Sequence, residues 1–153
     1  VTGAAAGEDV PSLTVELSHA GVCCGDMDRS IRFYCDGLGF SVTRRLEIGS
    51  PFEALTELPG YRSEVAFLHL AGRMLELIAT VIPDVTGPAE RRPMNQRGIT
   101  HLCFNVSDLR AACRRVEAAG GRVHLQTLTQ MPVSDIVFCT DPDGTRIELV
   151  QAK

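Results

Sequence analysis

The chain has no run of eighteen or more uncharged apolar residues, so nothing in it is long enough to span a bilayer as a helix. It has no basic block either. Fifteen Lys and Arg stand against 19 Asp and Glu, a net charge of −4, and aromatic residues make up only 5%. A nucleic-acid binder needs a cationic surface and stacking rings, so this role is excluded. The six cysteines show no C-x-x-C spacing, and Cys23 and Cys24 are adjacent. That pattern suits neither a disulfide framework nor a structural zinc site, and the six read as mostly structural thiols of a reduced compartment. Val1 to Pro11 lack the basic region and long apolar core of a secretion signal. Residues 1–14 therefore read as a flexible tail on a cytoplasmic protein.

What remains is ordinary for one soluble domain. The 153 residues are 44% apolar and 22% charged, enough for a core without staples. That domain is expected over 15–153.

Within it lies an internal repeat. The segment H-A-G-V-C-C-G-D-M from His19 aligns without gaps with H-L-C-F-N-V-S-D-L from His101. His19 falls on His101, Asp26 on Asp108 and Met27 on Leu109. R-M-L-E-L-I (73–78) matches R-I-E-L-V (146–150), which sets Glu76 on Glu148. Each half thus begins near a His and ends near a Glu. The first half is longer, with its extra residues between Leu46 and Glu64.

The predicted elements repeat too. A short apolar run at each His leads into a helical pattern, over 26–38 in the first half and 107–119 in the second. Ser107 is the expected N-cap of the second helix and Gly120-Gly121 its stop. Three strands then follow in each half: 40–46, 65–70 and 74–80, then 122–127, 135–140 and 145–151. Asp141-Pro142-Asp143-Gly144 is hairpin chemistry between the last two. The order strand, helix, three strands, twice over, is an α+β fold with helices on one face of two mainly antiparallel sheets. Module one is 15–80, a Pro-containing linker without strand or helix pattern covers 81–98, and module two is 99–151.

Strand alternation separates the faces. Leu102, Phe104 and Val106 form a continuous apolar face, so His101, Cys103 and Asn105 point the other way. Ile147 and Leu149 face the core, and Glu148 does not; Leu75 and Leu77 do the same for Glu76. The strand at His19 is mixed on both faces. Two imidazoles and two carboxylates project from equivalent faces of equivalent modules. If the modules curve together, the four suit a borderline divalent metal and leave coordination positions open for water or substrate. A solvated strand position explains one such residue, but packing gives no reason for a matched set of four.

These segments resemble the vicinal oxygen chelate superfamily, the glyoxalase / bleomycin-resistance / dioxygenase group. The resemblance runs from about Leu17 to Gln151. It is carried by S-H-A-G-V (18–22), D-R-S-I-R-F-Y-C-D-G-L-G-F (28–40), V-A-F-L-H-L (65–70), L-E-L-I (75–78), G-I-T-H-L-C-F-N-V-S-D-L (98–109) and D-P-D-G-T-R-I-E-L-V (141–150). It implies two βαβββ modules pairing into a curved sheet around a metal-binding cleft, with helices outside. His19, Glu76, His101 and Glu148 match the metal positions. The implied function is a divalent-metal-dependent enzyme using Ni, Zn, Mn, Co or Fe(II). Its small substrate has vicinal oxygens and passes through a metal-stabilised enolate in an isomerase, epimerase or lyase reaction. An Fe(II) extradiol-type dioxygenase, using His19, His101 and Glu148 on an aromatic or polyketide-like substrate, is the alternative. A small-molecule binding or resistance protein is the alternative of another class. No glutathione-binding pattern is evident. A homodimer is the implied assembly.

Glu148, with Glu76 as rival, is the candidate proton shuttle; a metal-bound carboxylate is a weak base and must leave the ion to act. His69 has the strand parity of Val65 and Phe67 and is a candidate for proton transfer beside Glu76, in balance with an ordinary polar strand position. His124, on an expected edge strand, reads as structural. Arg44, Arg45, Arg62, Arg73, Arg91 and Arg92 are candidate anion holders, although surface solvation explains most of them. Phe52, Leu55 and Leu58 have the spacing of a short helix or lid.

Overall fold

The computed structural model describes residues 13–153, so most of the expected tail lies outside the described residues. Module one runs β1 (Ala20–Cys23), α1 (Met27–Arg32, continuing as a π turn over Phe33–Gly37), β2 (Ser41–Ile48), α2 (Glu53–Thr56), β3 (Arg62–Leu70) and β4 (Arg73–Ile82). Module two runs β5 (Leu102–Asn105), α3 (Leu109–Ala118), β6 (Arg122–Val123), β7 (Thr129–Gln130), β8 (Ser134–Thr140) and β9 (Arg146–Ala152). The sheets are β1-β4-β3-β2 and β5-β9-β8-β6, with β7 attached to β8. In each sheet the strand that follows the His lies parallel to the strand that carries the Glu. The α+β reading and the two βαβββ modules are what the structure has. Among the described residues no helix is long and apolar enough to cross a membrane.

The helices start alike because the repeat gives them the same cap. Asp26 accepts from the Arg29 N–H at 2.8 Å, and Asp108 accepts from the Ala111 N–H at 2.8 Å. The N-cap of α3 is therefore Asp108 and not Ser107. A carboxylate at this position also meets the positive end of the helix dipole, an advantage a hydroxyl lacks. Gly120, at φ +89°, ends α3 as expected, in a conformation a side chain would disfavour.

Two other expectations shift. The strand over 122–127 is broken: only Arg122–Val123 pairs with β8, and a 3₁₀ turn covers Leu125–Thr127. There the Phe138 N–H donates to the Thr127 hydroxyl at 2.9 Å, so a side chain replaces the ladder partner. β4 extends to Ile82, and the remainder of the linker has neither helix nor strand. The segment with Phe52 and Leu55 does form the short helix α2.

One apolar cluster joins the modules. Phe33, Tyr34, Leu68, Leu75 and Leu77 from the first pack with Val116, Val137, Ile147 and Leu149 from the second. The Phe40 and Phe104 rings meet edge to face at 5.9 Å. Tyr34 crosses between modules and donates its buried hydroxyl to Asp141 at 2.9 Å. Asp141 also accepts from the N–H groups of Asp143 (3.0 Å) and Thr145 (2.7 Å), which shape the β8–β9 turn. Burial pushes the Asp141 carboxyl above its ordinary value even though these donors pull it down. All six cysteines are free, as expected; Cys24 and Cys139 are buried, while Cys23 and Cys103 are exposed.

Candidate metal centre

Each expected ligand pair forms within its own module. His19 immediately precedes β1, and its Nε2 stands 3.2 Å from Glu76 Oε2 on the neighbouring strand. His101 immediately precedes β5, and its Nε2 stands 3.4 Å from Glu148 Oε2. Two donors about 2.1 Å from one ion lie about 3.0 Å apart at 90° and about 3.4 Å apart at the tetrahedral angle. Both pairs thus have the separation of adjacent ligands on one metal. Imidazole nitrogen with carboxylate oxygen is also the donor chemistry that a borderline divalent ion takes. The residues present fit such an ion.

The supports of the two pairs repeat as well. The Ser18 hydroxyl lies 3.1 Å from His19 Nδ1, and the Thr100 hydroxyl 2.9 Å from His101 Nδ1. An Nδ1–H donated to the hydroxyl leaves the Nε2 lone pair free, which is how a ligating histidine is held. An aromatic edge fixes each ring from the side. Phe67, opposite Glu76 on β3, is 6.0 Å from the His19 ring; Phe138, opposite Glu148 on β8, is 5.6 Å from the His101 ring. Sequence reasoning missed all four supports. The signal was present: Ser18 and Thr100 occupy equivalent places in the same gapless alignment that pairs the histidines.

Cys103 is the register partner of Glu148 across β5 and β9. Burial, then the hydrogen bond to Glu148 and its charge, push the thiol up to about 11. The thiol therefore stays protonated beside Glu148. Module one has Gly21 opposite Glu76, so this contact belongs to one half only.

Within one chain the two pairs do not come together. Among the described residues no group of three or more His, Cys, Asp or Glu is placed to hold one metal ion. His69 shares the β3 face of Phe67 and is exposed opposite Met74, and its ring makes no hydrogen bond to the His19–Glu76 pair. His124, expected on an edge strand, is buried, with Nε2 3.4 Å from the Thr140 hydroxyl. Burial, then the charges of Arg91, Arg122 and Arg146, lower its pKa. Among the candidate anion holders, Arg45 pairs with Asp28 and Glu64 on the surface. Arg92 caps the Ile99 carbonyl at 2.8 Å.

Residues 16–149 match the Glyoxalase/Bleomycin resistance protein/Dioxygenase superfamily. The chain belongs to this superfamily. A probable lactoylglutathione lyase of Vibrio cholerae is 33% identical over 141 residues, covering 90% of this chain and 91% of the relative. A lactoylglutathione lyase of Haemophilus influenzae is 30% identical over 143 residues, covering 91% and 94%. A glyoxalase family protein of Bacillus cereus superposes with a TM-score of 0.83 at 16% identity, over 93% of this chain and 97% of that one, and supports the fold alone. The glyoxalase-superfamily relatives bear out the metal-dependent, lyase-type enzyme that the resemblance implies.

Proposed function

We propose that the chain is a lactoylglutathione lyase-type enzyme whose metal site is closed across a homodimer. Module one of one subunit supplies His19 and Glu76, and module two of its partner supplies the equivalents of His101 and Glu148. The observation that carries this reading is the pair of half-sites. Each has ligand spacing and supports of its own, and each is incomplete within the chain. A two-fold axis brings unlike halves together twice, giving two complete sites. Leu13, Val15 and Leu17, at alternate positions leading into His19, are 85%, 78% and 94% exposed in the lone chain. Such an apolar strip beside a half-site is what a second copy would cover.

By atom balance, S-lactoylglutathione less glutathione leaves a three-carbon 2-oxoaldehyde, and the adduct of the two carries oxygens on adjacent carbons. A divalent ion bound by the four residues would polarise both oxygens and stabilise negative charge gathering there. Converting adduct to thioester moves one hydrogen from the sulfur-bearing carbon to its neighbour, and the hydroxyl proton of the first carbon passes to the oxygen of the second. Glu148, with Glu76 as rival, takes that proton and returns it one carbon away. Ser18 and Thr100 hold the imidazoles in the ligating orientation while this happens. The ring of His69, on the Glu76 side of the cleft, is assigned to proton relay beside the carboxylate.

The test supplies methylglyoxal with glutathione and follows the thioester. Turnover is expected with one of Ni, Zn, Mn, Co or Fe(II), and chelation is expected to abolish it. His69→Ala is expected to cut kcat while leaving metal content unchanged. Absence of turnover with every one of these metals would contradict the lyase reading, and oxygen consumption with Fe(II) and a catechol would put the dioxygenase in its place.

A further inference from the structure

A second polar cavity, of about 500 Å³, lies where the linker crosses module two, and its lining includes Arg91, Arg122, His124, Gln126, Thr140 and Asp141. The linker is held close there: a Cβ on Gly144, at φ +87°, would come within 2.5 Å of the Glu90 backbone. Arg122 faces Thr140 directly across β6 and β8, and opposed strand residues share a face. His124 reaches the same hydroxyl. Thr140 and Phe138 alternate along one face of β8, and Phe138 is opposite Glu148. The cavity therefore opens on the face of sheet two that bears the His101–Glu148 pair, at its far end.

The two guanidinium groups in this cavity are unpaired among the described residues. Neither Arg91 nor Arg122 forms an ion pair with any described acid. Arg91 Nη1 is buried with no hydrogen-bond partner among the described residues. A guanidinium nitrogen shielded from water and left unpaired is costly, and folded proteins rarely keep one without a use. The two lining acids do not answer it: Glu90 makes no ion pair with either guanidinium, and Asp141 is turned inward onto Tyr34, Asp143 and Thr145. A third guanidinium nearby, Arg146, is already engaged: it lies over the Phe138 ring at 5.1 Å and donates to the Arg92 carbonyl at 2.6 Å. Burial lowers the His124 pKa most, and the charges of Arg91, Arg122 and Arg146 lower it further.

We infer that this cavity binds an oxyanion, the phosphate or carboxylate group of a small molecule, between Arg91 and Arg122. Two guanidinium forks present parallel N–H donors to such a group, and the Gln126 amide and Thr140 hydroxyl line the same space. The site uses none of the four metal-centre residues, so it stands or falls apart from the lyase reading.

The test is titration of the full chain with inorganic phosphate and, separately, with succinate. Binding is read by calorimetry and by the His124 ring resonances at about 0.15 M salt, where loose surface attraction is largely screened. Saturable binding of either anion, with movement of the His124 signals, is expected. Arg91→Gln and Arg122→Gln should each weaken it at least about tenfold, the scale of one lost charge-assisted hydrogen bond. Arg110→Gln, on the exposed side of α3, should leave it unchanged. Saturation by phosphate identifies a phosphate site and saturation by succinate a carboxylate site. Failure of both anions to saturate the folded wild-type chain, or equal weakening by Arg110→Gln, would overturn the inference.

Discussion

His101→Ala should leave a folded protein that binds divalent metal at least about 100-fold more weakly, since even the outer partners of metal ligands are worth 10–100-fold. Turnover should fall by about a thousandfold or more, because a misplaced ion no longer stabilises the charge on the substrate oxygens. The size of the effect follows from how little else holds the ion. Each half-site offers one imidazole and one carboxylate, at 3.2 and 3.4 Å, and no described fifth residue stands by to replace a lost ligand. Thr100→Val separates orientation from ligation. It removes the hydroxyl 2.9 Å from His101 Nδ1 and keeps the imidazole. Metal affinity should fall by about tenfold in this variant, at the lower end of the outer-partner range. Metal analysis of the purified variants, beside circular dichroism, checks both. Full metal content in His101→Ala would remove that residue from the site.

Asp141→Ala should be the most destabilising single change away from the metal centre, by about 3 kcal/mol or more. It strands three donors that now meet at one carboxylate: the Tyr34 hydroxyl and the N–H groups of Asp143 and Thr145. Each buried donor left unpaired costs about 1–3 kcal/mol. Relief of the buried charge offsets part of this. Because the Asp141 pKa is raised on folding, its ionised form is less favourable in the folded state than in the unfolded one. Its charge therefore lowers stability as pH rises above the ordinary carboxyl range, and Asp141→Asn should cost much less than Asp141→Ala at neutral pH. The Tyr34 bond ties the two modules, so Tyr34→Phe should lower stability through the same bond, but by less. Urea unfolding of the four chains orders these effects. Equal stability of Asp141→Ala and wild type would contradict the role given to this carboxylate.

Much of this was legible in the residues. Alternation of Leu102, Phe104 and Val106 against His101 was enough to turn the imidazole away from the core, and the same reading placed Glu76 and Glu148. The gapless match of His19 to His101 also carried Asp26 onto Asp108, the two helix caps. The hydroxyl at each Nδ1 was equally visible but is a one-residue signal, read only once its geometry is known. The rest was not local. The strand at 122–127 has suitable residues, yet the Thr127 side chain takes the place of a backbone partner there. His124 is buried with its ring against the Thr140 hydroxyl, a pairing that sequence spacing alone does not show. The separation of the two His–Glu pairs within a chain depends on how the modules pack through Tyr34, Phe40 and Phe104. Each module's own pattern is the same whichever partner it faces.

Subunit complementation tests the shared site most directly. A chain carrying Glu76→Gln and a chain carrying Glu148→Gln are each expected to be nearly inactive as homodimers, because every site then lacks one carboxylate. In a mixed dimer one site collects both defects and the other collects none. Random mixing makes about half the dimers mixed, each with one of two sites intact, so co-expression should restore about a quarter of wild-type turnover and metal content. A mixture no more active than its parents would place all four ligands of each site in a single chain and contradict the account.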